Sequence, residues 1–229
     1  MKIPLSNRLL ACCGFVNPGD RVADVGCDHG YLGIYLLKNG IAGSVIASDI
    51  KEGPLQSALR NAVKFNVRDK MTFYLSNGVQ GIPRDFDTLV CAGMGADTMM
   101  SVLDAAPWLK DTKYRLILQC QSKRPELRKY LYRQGYAIRR ETLAQDGKFL
   151  YPVMEAVYAP GKSLTGAEFY ITPALLASGS PLLPAFLRRV TGGMQKTVDG
   201  LSRSGGEKYR EYLSILDELK QKENALCQP

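Results

Sequence analysis

Two periodicities alternate along the first two thirds of the chain. Short β-branched or apolar runs at 21–25, 44–49, 71–75, 87–92 and 116–119 have no amphipathic alternation, so they read as strands covered on both faces. Helical stretches lie around and between them. One spans 6–15 and ends at Asn17-Pro18-Gly19-Asp20, and others span 31–39, 54–65 with Pro54 in the first turn, and 125–134. Strand and helix in alternation predict βαβ units and a parallel sheet. Runs at 136–142 and 151–158, with a turn at Asp146-Gly147, read as an antiparallel pair that closes a seven-stranded α/β sheet.

The pattern changes from Gly161. Pro173, Pro181 and Pro184 break the chain into short pieces, followed by helical runs at 183–201 and 207–226 around Ser204-Gly205-Gly206. Phe186, Val190, Met194, Val198 and Leu201 fall on one helical face, and Tyr209, Tyr212, Leu213, Leu216 and Leu219 form a matching stripe. An antiparallel helical hairpin follows, with too little core to stand alone. The expected organisation is a sheet domain over 1–160 and a C-terminal helical, coiled-coil-like extension over 161–229.

The first strand leads into Asp24-Val25-Gly26-Cys27-Asp28-His29-Gly30-Tyr31, a strand, glycine turn and helix start of the nucleotide-binding kind. Gly26 and Gly30 let backbone N–H groups approach a ligand closely. A dinucleotide loop sets its second glycine against a pyrophosphate. Here Asp28 takes that place, and a carboxylate in a partly dry site repels phosphate. S-adenosylmethionine (SAM) carries a cationic sulfonium and an ammonium and no phosphate, so the acidic loop suits it. The alternative is an ordinary strand-to-helix turn with a capping Asp. Asp49, about 20 residues past the loop at a strand end, has the spacing of a carboxylate that grips ribose hydroxyls. Asn77-Gly78 ends the third strand, where Asn77 can read an adenine edge or simply make a turn. The fourth strand runs into Ala92-Gly93-Met94-Gly95, where two glycines admit close backbone approach and Met94 lines a pocket or fills the core.

Charge narrows the partner. The net charge is +8 with a pI near 9.2, which points to an anionic partner, nucleic acid before membrane. Between residues 110 and 140 ten Lys and Arg are opposed only by Asp111 and Glu126. Lys123, Arg124, Arg128 and Arg133 are the RNA-contacting residues expected from this cluster, with Arg8 near the N-terminus. Six cysteines without a C-x-x-C pair read as reduced thiols, and a single histidine, His29, excludes a histidine-rich metal site. No apolar run reaches spanning length and residues 1–5 lack a signal-peptide core, so a cytoplasmic protein is expected.

These motifs resemble the TrmK family of bacterial SAM-dependent tRNA methyltransferases, which modify N1 of the adenine at position 22. The likeness rests on Leu5-Ser6-Asn7-Arg8-Leu9, the loop from Ala23 to Leu32, Asp49 with Gly53-Pro54-Leu55, Asn77-Gly78, Ala92-Gly93-Met94-Gly95 and Leu118-Gln119. Cys27, Asn77, Ala96 and Cys120 stand where the family pattern has serine, aspartate, glycine and proline. The resemblance implies a class I, Rossmann-like methyltransferase fold, tRNA as partner, and SAM held by Asp24, Gly26, Asp28, His29, Gly30, Asp49, Ile50, Asn77, Gly78, Ala92, Gly93 and Met94. Asp28 is the candidate catalytic carboxylate or else only a cofactor ligand, no metal is expected, and a monomer is favoured. A methyltransferase acting on another RNA or a protein, or a non-catalytic SAM- or RNA-binding module, are the competing classes.

Overall fold

The computed structural model describes residues 2–203 and 205–227; Ser204, in the turn expected between the last two helices, lies outside them. Seven strands form one sheet: β1 (Arg21–Val25), β2 (Ser44–Asp49), β3 (Met71–Leu75), β4 (Thr88–Met94), β5 (Arg115–Cys120), β6 (Tyr136–Asp146) and β7 (Phe149–Tyr158). Their spatial order is β3-β2-β1-β4-β5-β7-β6. The first five are parallel, and β7 inserts antiparallel between β5 and β6. The sheet is the class I methyltransferase arrangement the strand pattern predicted.

Helices cover both faces because the central strands are apolar on both sides. One face carries α1 (Asn7–Cys13), α2 (Tyr31–Lys38) and α3 (Glu52–Lys64), packed over Val22, Val45, Ala47, Val90 and Ile117. The other carries α4 (Ala96–Asp104) and α5 (Arg124–Arg133), over Ala23, Leu89, Cys91, Leu116 and Leu118. Sequence periodicity placed no helix between β4 and β5. Yet α4 buries Ala96, Met99, Val102 and Leu103, a helical spacing broken up for the eye by Asp97, Thr98 and Ser101.

After β7 come a 3₁₀ turn (Gly166–Phe169), α6 (Pro173–Leu176), α7 (Leu183–Leu201) and α8 (Gly206–Cys227). The last two make the expected hairpin. Its stripe does not close on itself alone. Phe186, Leu187, Met194, Val198, Leu216 and Leu219 share one core with Leu143 and Leu150 from the far end of the β6–β7 ribbon. Those strands are longer than the sequence suggested, reaching Asp146 and starting at Phe149, and the extra length is what the hairpin packs on.

Much of the basic cluster turns inward. Arg115 pairs with Asp20 and, at 2.8 Å, with Glu155, and Arg140 pairs with Glu155 at 2.6 Å. Arg128 is fully buried, so its assignment to an RNA-facing surface is corrected. Its guanidinium pairs with buried Glu141 and donates to the carbonyls of Phe169 (3.0 Å) and Tyr170 (2.8 Å). Glu141 also accepts from the Thr172 hydroxyl, which itself caps α6. This network ties α5 and β6 to the segment that leads into the C-terminal helices.

Removing one partner leaves the other charge buried and bare. Glu141→Ala should therefore lower unfolding free energy by about 3–5 kcal/mol in urea titration, whereas replacing both Arg128 and Glu141 by apolar residues of similar volume should cost much less.

Candidate active site

The loop after β1 is shaped by left-handed backbone at Gly26 (φ +71), Asp28 (φ +50) and Gly30 (φ +71). Aspartate is among the few side chains that accept this region. At Gly26 a Cβ would overlap the Met94 methyl, and at Gly30 it would come within 2.8 Å of Ala58, so glycine is required at both. The amides of Gly26 and Cys27 both donate to the Ser48 carbonyl, at 2.8 and 2.9 Å, and this fastens the loop to β2.

The acids gather here. Asp49 accepts from the amides of Asp28 (3.2 Å) and Lys51 (2.9 Å), one on each oxygen, and an ionised carboxylate oxygen has a lone pair to spare. Asp24 is buried, and its Oδ2 has no hydrogen-bond partner among the described residues. Burial pushes its carboxyl up to about 7, with the neighbouring Asp49 charge adding to the shift. Asp28 stands at the rim with its side chain 72% exposed, 3.7 Å from the His29 ring.

The opposite wall comes from β4 and α1. The Gly93 amide (3.0 Å) and Arg8 Nη1 (3.1 Å) both donate to Oε1 of Gln119, a fully buried side chain at the end of β5. Arg8 is held from behind by Asp146, which lies 3.6 Å from its Nε and accepts from the amides of Asn7 (2.9 Å) and Arg8 (3.3 Å) at the start of α1. Between the walls lies a cleft of about 200 Å³.

Of the residues singled out in the sequence, Asp24, Gly26, Asp28, His29, Ala92 and Gly93 line this cleft. Gly30 starts α2 directly behind it, and Asp49 joins through the Asp28 amide. Ile50 is exposed beside Asp49, and Asn77 is exposed at the end of β3. Gly78 packs against Val102, and its carbonyl accepts from the hydroxyls of Ser48 and Ser76. Met94 packs on Gly26. Arg8, expected on an RNA surface, lines the cleft itself. Lys123 is exposed and pairs with Asp97 at 2.7 Å, Arg133 is exposed, and Arg124 is half-buried with its guanidinium 5.4 Å from the Phe186 ring. Sequence reasoning missed Tyr31 and Leu9 in the lining, and the roles of Gln119 and Asp146. A glutamine inside an apolar strand was a usable signal for the first; nothing local marks Asp146 as more than a turn residue.

The model of the Methyltransferase domain family matches residues 5–154. The chain belongs to that family. The tRNA (adenine(22)-N(1))-methyltransferase of Bacillus subtilis is 31% identical over 156 residues, covering 68% of this chain and 66% of the relative's length. The crystal structure of B. subtilis TrmK, an m1A22 tRNA methyltransferase, superposes with a TM-score of 0.79 at 26% identity over 98% of both chains. Streptococcus pneumoniae Sp1610, solved with S-adenosyl-L-methionine, gives 0.76 at 26% identity over 96% of this chain and 99% of its own. Within the family the chain falls in the TrmK branch.

The cleft fits the methyl donor of this family. Asp24, Asp28 and Asp49 meet a single lining cation, Arg8, which Gln119 and Asp146 already occupy. That balance favours a ligand with a sulfonium and an ammonium over an anionic pyrophosphate. The unpartnered Asp24 oxygen asks for a cationic or donor group, and the spare lone pairs of Asp49 match two vicinal hydroxyls.

Asp24 also leaves a mark on the empty protein. Its folded pKa, about 7, lies above the ordinary value of an aspartate carboxyl, so between the two the folded state holds a proton that the unfolded chain has lost. Stability should fall as pH rises through that window, by about 4 kcal/mol in total. Urea titrations at pH 5 and pH 8 should show the fall in the native protein, and Asp24→Asn should flatten it.

Proposed function

We propose that this chain transfers the methyl group of SAM to N1 of adenine 22 in tRNA. The observation that carries the reading is the match to B. subtilis TrmK over 98% of both chains, which takes in the C-terminal helices as well as the sheet. A methyltransferase of generic specificity would share the sheet alone. tRNA is then the partner. The apolar stripe of α7 and α8 is used inside the chain against Leu143 and Leu150, which supports a monomer as the working form. No described helix is long and apolar enough to cross a membrane, and the cytoplasm is the site proposed for an enzyme that meets tRNA.

When bound, SAM supplies an electrophilic methyl group. Asp49 orients the cofactor through its ribose, held rigid by two backbone amides. Asp24 holds the ammonium end and gives up its proton as it does so. The Gly93 backbone, kept in place by Gln119 and Arg8, forms the floor against which the target base is pressed. Adenine N1 is already nucleophilic, so alignment and exclusion of water supply most of the rate. Methylation leaves the base cationic and its exocyclic amine more acidic. Asp28, at the rim and free to turn, stabilises that charge or accepts the proton. Position 22 lies within folded tRNA, so the base must be extruded to reach the cleft.

Incubation with labelled SAM and bulk tRNA, followed by nucleoside analysis, should yield 1-methyladenosine, and mapping should place it at position 22. A different methylated nucleoside would overturn the reading.

Asp28→Asn keeps shape and removes charge. The expected outcome is a kcat lowered by about 10²- to 10⁴-fold with little change in KM for SAM. An unchanged kcat with a raised KM would make Asp28 a cofactor ligand and nothing more.

A further inference from the structure

A roomier cleft than the one that holds the chemistry lies beside it. This second opening, of about 580 Å³, lies where the β6–β7 ribbon, the start of α5 and the inner face of α7 meet. Its size is that of a small-ligand or nucleotide site. Two features of its lining set it apart from a packing defect.

The first is charge. Arg124 and Arg189 are its ionised side chains, and no Asp or Glu lines it. Arg124 has no carboxylate within ion-pair distance among the described residues. It is partly desolvated, with its guanidinium 5.4 Å from the Phe186 ring, and it feels the charges of Arg128 and of Glu141, which Arg128 already pairs. Arg189 donates one N–H to the Lys148 carbonyl at 2.8 Å, and this fixes its guanidinium at the rim. Two cations in no ion pair among the described residues form a place for an anion.

The second is the aromatic surface. Phe149 is 54% exposed at the start of β7, with Tyr151 alongside at 6.1 Å between ring centroids. Tyr170 and Tyr212 close the back of the cleft. The Lys148 ammonium stands over the Phe149 ring at 5.5 Å and adds a third cation at this rim. A large aromatic left half in water next to cations in no ion pair has the composition of a nucleobase stacking platform. A helix-binding groove would be apolar throughout and would not strand a guanidinium.

Position supplies the link to the chemistry. Gln121 lines this cleft, its amide donates to the Met94 carbonyl at 2.9 Å, and its Nε2 stands 3.7 Å from where a Cβ on Gly93 would be. Gly93 lines the methyl-transfer cleft. One side chain therefore separates the two.

The geometry points to a second nucleotide site in this enzyme: the cleft bounded by Phe149, Tyr151, Arg124 and Arg189 takes the nucleotide next to the methylated adenine, its base stacked on the exposed Phe149 ring with tilted Tyr151 at its edge, and its phosphate on the two arginines. The assignment to tRNA rests on the function proposed above; the assignment to single-stranded RNA rests on the cleft. Recognition of this kind is stacking with phosphate capture, so it holds the extruded strand without reading its sequence.

Two RNA probes, a tRNA transcript and a five-nucleotide single-stranded RNA, test the site against Phe149→Ala, Phe149→Tyr and Arg189→Gln. SAM affinity, measured by calorimetry, should be the same in all four proteins and reports an intact sheet. Phe149→Ala should weaken both RNAs roughly ten- to hundredfold while leaving the slope of log Kd against log salt unchanged. Phe149→Tyr should restore binding. Arg189→Gln should weaken both and reduce that slope by about one. If wild type methylates tRNA and the Phe149→Ala and Arg189→Gln proteins bind both RNAs as wild type does, the second site is overturned and the function stands. If wild type leaves tRNA unmethylated but Phe149→Ala loses the short RNA, the tRNA reading falls and the cleft stands as an RNA site.

Discussion

One carbonyl organises the active site. Ser48, at the end of β2, accepts from two successive amides of the glycine loop, Gly26 and Cys27. The loop is thereby tied to a strand end that the parallel register has already placed beside Val25. From that anchor the Asp28 amide reaches the Asp49 carboxylate, so the two acids are joined by a hydrogen bond. The arrangement works only if the loop can bend into left-handed backbone at three nearby positions, two of them glycine. The acidic wall of the cleft depends on the loop lying this close to β2.

The other wall is built on a different logic. Gly93 has no side chain to position, so its amide is positioned instead, by Gln119. Arg8 shares the same glutamine oxygen and is braced by Asp146. The first wall gathers carboxylates, whereas this one presents backbone. An enzyme that methylates an aromatic ring nitrogen needs such a pairing, with a polar grip on the donor and a smooth surface for the acceptor.

The strands, their order of appearance and the loop chemistry were legible because each depends on residues close together in the chain. Alternation of apolar runs gave β1 to β5, and Asp28 in the place of a glycine separated SAM from a dinucleotide. The basic cluster misled at Arg128, because its neutralising partners are remote in sequence. Only Asp111 and Glu126 appear between 110 and 140, yet folding brings Asp20, Asp97, Glu141 and Glu155 to Arg115, Lys123, Arg128 and Arg140. Net charge along a segment says nothing about charge on a face. The same holds for α4, whose buried spacing was visible only once the sheet beneath it was known, and for Asp146, which serves a helix 139 residues earlier.

That last contact has a bearing on how the protein is made. Residues 7 and 8 leave the ribosome long before the carboxylate that caps their helix, which stands at the end of β6. The strand order adds to the delay, since β6 is synthesised before β7 but pairs within the sheet only with β7, which must slide in beside β5 to complete it. Closing a loop of this length carries an entropic cost that only the late contacts repay. The nascent chain therefore completes its glycine loop early and the wall opposite it late. Until the ribbon has closed, the start of α1 and Arg8 lack the carboxylate that holds them at the cleft.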